Sequence, residues 1–168
     1  MLIVFAGLPG TGKTVIAKDL ARQLDAVYLR IDSIEHAIRD SRITEKDLYD
    51  AGYRVGYAVA EDNLRLGRTV VADSVNPIAL SRDAWVAVAH RAHVPAFEIE
   101  VQCSDMDEHR RRIETRASDV RGLRLATWQE VLSRDYRPWE REHLVIDTAR
   151  QSVEHSVKTI LELLRRHI

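Results

Sequence analysis

The stretch "GLPGTGKT" at residues 7 to 14, directly behind the apolar opening "MLIVFA", constrains the fold more than any other part of the chain. Gly7, Gly12, Lys13 and Thr14 satisfy the pattern G-x-x-x-x-G-K-[ST] without departure. Side chains at the glycines would stop the backbone N–H groups from closing round phosphate oxygens, and the loop then delivers the bound charge to the positive end of a helix. On this reading Gly7, Pro9, Gly10, Thr11 and Gly12 form the cradle. Lys13 neutralises the outer phosphates and the Thr14 hydroxyl ligates magnesium.

A strand feeding such a loop suits the remaining pattern. Short runs rich in branched residues occur at "LIVFA" (2 to 6), "VYLRI" (27 to 31), "TVVAD" (69 to 73), "FEIEV" (97 to 101) and "LVI" (144 to 146). Helical patterns lie between them at 13 to 24, around 46 to 66, and at 81 to 93, 105 to 116, 127 to 135 and 152 to 166. Ser81, Thr127 with Glu130, and Ser152 read as helix N-caps. The alternation predicts an α/β fold, a five-stranded parallel sheet flanked by helices, with ligands gathered at the carboxyl ends of the strands. The length fits one domain over 1 to 168.

Composition narrows the class further. With 45% hydrophobic and 30% charged residues the chain can bury a core, and a net charge of -1 argues against a surface that tracks nucleic acid throughout. The single cysteine, Cys103, lies in an apolar run and reads as buried filler. No apolar stretch approaches the roughly 18 residues of a membrane span, and the opening is too short for a signal peptide. A cytoplasmic protein without membrane contact is the expectation.

Two carboxylates carry the candidate chemistry. Asp32, read as the end of strand two, would accept a proton from an attacking hydroxyl, the alternative being a helix cap with Ser33. Asp73, ending strand three, would assist magnesium together with Thr14. Tyr49, Tyr53 and Tyr57 recur every four residues and read as core, with a stacking platform for an acceptor as the alternative. His90 and His93 lack partners at zinc-ligand spacing. No N-K-x-D base-recognition element follows the fourth strand, which favours ATP over GTP.

At this point the sequence resembles the small P-loop ATP-dependent kinases, the group of polynucleotide kinase, chloramphenicol phosphotransferase, gluconate kinase and adenylylsulfate kinase. The most specific stretch is "TVVADSVNPIALSRDAWVAVAHRAHVP" (69 to 95), where Asp73, Asn76, Pro77, Arg82 and Trp85 occupy places like those of polynucleotide kinase. The resemblance implies a P-loop NTPase of nucleoside-monophosphate-kinase-like type with an arginine-bearing lid at about 110 to 126. It also implies Asp32 as general base and Asp73, Asn76 and Arg82 on the substrate side. The stretch 117 to 126 is the expected mobile loop, and Arg112 and Arg116, chosen from Arg110, Arg111, Arg112 and Arg116, would close over the phosphoryl group. Asp147 and Thr148 would pass beside adenine. One departure stands out. Several relatives place an arginine three positions after the strand-two aspartate, where this chain has Glu35, leaving Arg39 and Arg42 to restore the charge.

The resulting expectation is an ATP- and magnesium-dependent kinase acting on a hydroxyl of a small molecule or nucleotide, with Lys13, Asp32 and Arg116 as its catalytic residues. A polynucleotide 5'-hydroxyl kinase, which would bring nucleic acid as partner, and an ATP-binding switch without an acceptor are the alternatives.

Overall fold

The computed structural model describes residues 1–41 and 49–166. Arg42, Lys46 and the first residues of the helix expected around 46 to 66 lie outside the described residues. Five strands, β1 (Leu2–Ala6), β2 (Val27–Arg30), β3 (Val70–Asp73), β4 (Ala96–Gln102) and β5 (Leu144–Asp147), form one sheet in the order β2-β3-β1-β4-β5. Every pairing is parallel. The helices are α1 (Lys13–Gln23), α2 (Ile31–Asp40), α3 (Ala51–Arg65), α4 (Ala79–Arg91), α5 (Met106–Thr115), α6 (Trp128–Leu132) and α7 (Val153–Arg165).

The alternation of side chains along β1 divides the core in two. Ile3 and Phe5 face α1 and α7, joining Ile16, Leu20, Val157, Ile160 and Leu164. Leu2 and Val4 face the other side, joining Ile31, Leu64, Trp85 and Val88 from α2, α3 and α4. All five β1 residues are buried, as a central parallel strand covered on both faces must be. The chain fills β2 and β3 on one side of β1 and then crosses to β4 and β5 on the other, so the crevice above the end of β1 is the point where ligands enter folds of this kind. Among the described residues no helix is long and apolar enough to cross a membrane.

The expected elements are present, with three corrections. β2 stops at Arg30, because Ile31 turns inward against Gly56 and begins α2, so Asp32 lies in the first helical turn and does not end a strand. Its negative charge suits that position next to the positive helix end, but α2 has no side-chain cap, which removes the capping alternative. Ser81 is likewise inside its helix. α4 starts earlier, at Ala79 just after Pro77, and the Ser81 hydroxyl donates back to the Ile78 carbonyl at 2.9 Å. Thr127 and Ser152 do cap α6 and α7, the former in a full capping box. Of the tyrosine stripe, Tyr53 and Tyr57 pack on the second core, whereas Tyr49 is 86% exposed. Burial raises the Tyr53 phenol to about 12. Cys103 is buried as expected.

Gly7 shows how tightly the sheet and loop are joined. Its φ is 136°, and a Cβ there would sit 2.1 Å from the Val101 carbonyl oxygen of β4. Gly67, at φ 78° with open space around it, is a natural control. Gly7→Ala is expected to cost about 4 kcal/mol or more, since a backbone must move, and Gly67→Ala only about 1 to 2 kcal/mol of left-handed strain. Urea denaturation of the two variants measures the difference.

Candidate active site

The loop between β1 and α1 is pinned from three directions. Gly7 N donates to the Val75 carbonyl at 3.1 Å beyond β3. The His109 Nε2 of α5 donates to the Pro9 carbonyl at 2.8 Å. The Thr148 hydroxyl, after β5, donates to the Thr11 carbonyl at 2.7 Å. Thr11 closes the turn through its own hydroxyl on Leu8 O at 3.0 Å. Gly12, at φ 91°, is the N-cap of α1 and offers no side chain to its first N–H groups. Those donors therefore face the loop's concavity, the arrangement that binds phosphate.

At its centre lies a buried ion pair. Lys13 Nζ is 3.3 Å from Asp73 Oδ1, with both side chains almost wholly enclosed. Tyr28 donates its phenol proton to Asp73 Oδ2 at 2.7 Å. Burial pushes the Asp73 carboxyl up, but the Lys13 charge and the Tyr28 and Thr14 hydrogen bonds outweigh it and hold the group below its ordinary value. Asp73 Oδ1 has no hydrogen-bond donor in line among the described residues. That orphaned oxygen and the Thr14 hydroxyl at the start of α1 are the oxygen donors beside the cradle that could hold a magnesium ion. Among the described residues no group of three or more His, Cys, Asp or Glu gathers as a metal cage, so a magnesium ion here would take its other oxygens from phosphate and water.

A cavity of about 930 Å³ opens over the cradle and extends to the start of α2. Lys13 and Thr14 line one end, Asp32, Glu35 and Arg39 the other, and Arg112 and Arg116 the lid side. Eight Lys and Arg side chains face it against four carboxylates, so a chain of net charge -1 concentrates positive potential at this one place. Glu35 is raised by burial, partly offset by Arg39, 3.4 Å away. Burial lowers Arg116, an effect that the Asp32 charge opposes. Its Nη2 donates to Ala126 O at 3.0 Å.

Several expected roles change. Arg82 is 2% exposed and donates to four carbonyls, Asn76, Pro77, Arg137 and Pro138, with its guanidinium 4.2 Å above the Trp139 ring. Asn76, fully buried, donates to Phe5 O at 2.9 Å and accepts from Trp85 Nε1 at 3.1 Å. Both spend their hydrogen bonds inside the scaffold, and neither is among the residues that line the cavity over the cradle. Asp147 accepts from Ser104 N, Ser104 Oγ and Ala149 N, and Thr148 braces the cradle. Thr148 thus touches the loop itself, while Asp147 ties the start of the β4 to α5 turn to the segment after β5. Arg112 is shared between the cavity and Thr148, to which it donates at 2.7 Å. Arg110 and Arg111 pair with Glu114 and Glu108 on the exposed face of α5.

Three site residues were not among the candidates. Tyr28 orients Asp73. Arg30, the charged residue inside the apolar run "VYLRI", points into the cavity, and Asp119 of the lid meets it at 2.7 Å. The charge within a strand was a readable signal for Arg30. Nothing local marked Asp119.

With this geometry in hand, comparison with known proteins is informative. A family model described as an AAA domain matches residues 2–138. The chain belongs to that family. A search of curated proteins returns no match. Among solved structures, the Mycobacterium tuberculosis APS kinase CysC in complex with AMPPNP and APS aligns at 20% identity and TM-score 0.73, covering 98% of this chain and 96% of that one. Kti12 of Chaetomium thermophilum in complex with ADP-AlF3 gives 21% identity and TM-score 0.69, with 96% and 98% covered. A gluconokinase from Sinorhizobium meliloti 1021 gives 18% and 0.64, with 98% and 91% covered. The AAA-domain chain thus shares the fold of the small P-loop kinases, and that likeness runs through nearly its whole length.

Two outcomes test the site. Arg82→Ala should cost about 2 to 4 kcal/mol, because several buried carbonyls lose their donor, while nucleotide affinity of the folded fraction stays unchanged, as calorimetry can show. Asp73→Asn strands Lys13 as a buried unpaired charge, worth about 3 to 5 kcal/mol at neutral pH. Because the folded Asp73 pKa is depressed, its contribution is present above the ordinary value of 3.8 and is lost as pH falls through the lower folded value. The stabilities of wild type and variant should accordingly converge in acid, as denaturation at a series of pH values can follow.

Proposed function

We propose that this protein is an ATP- and magnesium-dependent phosphotransferase that moves the γ-phosphoryl group of ATP to a hydroxyl of a small molecule or nucleotide. The observation that carries the reading is the shared cavity: the phosphate cradle forms one end and the Asp32 carboxylate the other. A γ-phosphate on the cradle and a hydroxyl beside Asp32 would then meet within a single cavity. Its volume falls at the upper end of ordinary ligand sites, enough for a nucleotide tail and a small acceptor.

In this reading the cradle N–H groups and Lys13 hold the phosphate tail, and Lys13 turns from Asp73 toward the charge that develops during transfer. Thr14 and Asp73 are the residues that would hold a magnesium ion, which when bound would supply positive charge to offset that of the phosphate tail. Asp32 orients the acceptor hydroxyl and takes its proton. Arg116 and Arg112 reach the transferring group from the lid. A polynucleotide acceptor draws little support, because the residues that suggested it, Asn76, Arg82 and Trp85, are occupied within the scaffold. The Kti12 likeness keeps a nucleotide-dependent switch as the second reading, since that protein shares the fold at a similar level.

Incubation with labelled ATP, magnesium and pooled hydroxyl compounds should yield labelled product other than inorganic phosphate. Slow phosphate release alone would favour the switch. Asp32→Asn should lower transfer by about 100- to 10,000-fold with nucleotide affinity retained, and unchanged turnover would remove Asp32 from its role.

A further inference from the structure

The lid reaches the floor of the cavity through one carboxylate. Asp119 Oδ1 accepts from Arg30 Nη1 at 2.7 Å, and Oδ2 is held by Lys18 Nζ. The two cations stand on rigid elements, β2 and α1, while Asp119 lies in the irregular segment between α5 and α6. Arg30 is nearly enclosed, its side chain 11% exposed, whereas that of Asp119 is 47% exposed. Arg30 therefore needs a counter-charge more than Asp119 needs a cation.

Asp119 satisfies this demand incompletely. Arg30 Nε is buried without a hydrogen-bond acceptor among the described residues, and so is Arg116 Nε. The Asp32 carboxylate stands 3.9 Å from Arg30 Nε, beyond hydrogen-bond reach. Asp32 and Arg30 each act on the charge state of Arg116, so these three side chains share one small region. Two buried N–H donors are thus left over after a two-oxygen anion has been placed. An anion with more oxygens would use them.

We propose that Arg30 and Lys18 form a subsite for a tetrahedral oxyanion, a phosphate or sulfate group carried by the phosphoryl acceptor, and that Asp119 holds this subsite as a built-in stand-in. The proposal rests on the phosphotransferase reading and names its acceptor class. Arg30 stands in register with Asp73 on the adjacent edge strand. It is therefore two strand spacings, about 10 Å, from β1 and its cradle, on the side of Asp32. A charge held there belongs to the molecule that presents its hydroxyl to Asp32. Arg30 in this way supplies from β2 the cation that Glu35 does not supply from α2. Asp119 competes with the acceptor and closes the lid when it wins. The hydrogen bonds from Arg30 and Lys18 hold its carboxyl down to about 2, so it remains an anion throughout the neutral range.

The test is a calorimetric titration of sodium sulfate into protein saturated with AMPPNP and magnesium, so that the cradle is already filled. Asp119→Asn should tighten sulfate binding about tenfold by removing the internal competitor, with AMPPNP affinity unchanged. Arg30→Gln should weaken sulfate about tenfold or more through loss of charge-assisted hydrogen bonds. Should Arg30→Gln melt early, Lys18→Gln, at a more exposed position, gives the same readout. Sulfate binding indifferent to these substitutions overturns the proposal. So does an Arg30→Gln protein that loses AMPPNP affinity and keeps its sulfate affinity, which would assign Arg30 to the γ-phosphate. If AMPPNP does not bind the wild type, the phosphotransferase reading falls, and the change in sulfate affinity between wild type and Asp119→Asn without nucleotide still decides the subsite.

Discussion

Lys13 and Asp73 bury opposite charges 3.3 Å apart at the point where β1 and β3 end together. Removing both from water costs about as much as their attraction returns, so such a pair is weak evidence of stability. Its value lies in readiness. A lysine held in place by a carboxylate, itself held by Tyr28, waits at the mouth of a loop whose donors face a common centre. Much of the surrounding fold serves this point: the parallel register sets Phe5 opposite Asp73 on one side and Ile99 on the other, and three separate segments grip the loop by hydrogen bonds to its carbonyls and its first amide.

The stretch from 69 to 95 illustrates how a sequence pattern can be strong for a structural reason. Asn76 ties β1 to Trp85, and Arg82 gathers four carbonyls from the β3 to α4 turn and from the segment before β5. These side chains fix the approach of β3 to the cradle, and with it the position of Asp73. In this chain the residues of that pattern serve to build the turn between β3 and α4.

The lid works by charge. Arg112 is braced by Glu108 and Thr148, while Arg116 donates to the Ala126 carbonyl and feels the charge of Asp32. Asp119 lies beyond them on an exposed turn. Its half-exposed carboxylate faces cations carried on β2 and α1, so the pairing joins an irregular segment to the regular elements beneath it.

The glycine loop, the five strands, the capping box of α6 and the apolar stripe of α7 were legible from residues alone, because each depends on neighbours within a few positions. The exchange of Asp32 from strand end to helical turn was not, since it depends on Ile31 finding room against Gly56, a glycine 25 positions further on. Nor were the Arg82 network and the meeting of Arg30 with Asp119, 89 residues apart. Local pattern determined the glycine loop and the strand and helix that frame it. Which charges face the second half of the cavity was settled only when distant segments packed together, because a side chain's partner across a sheet or under a lid leaves no periodic trace in the sequence around it.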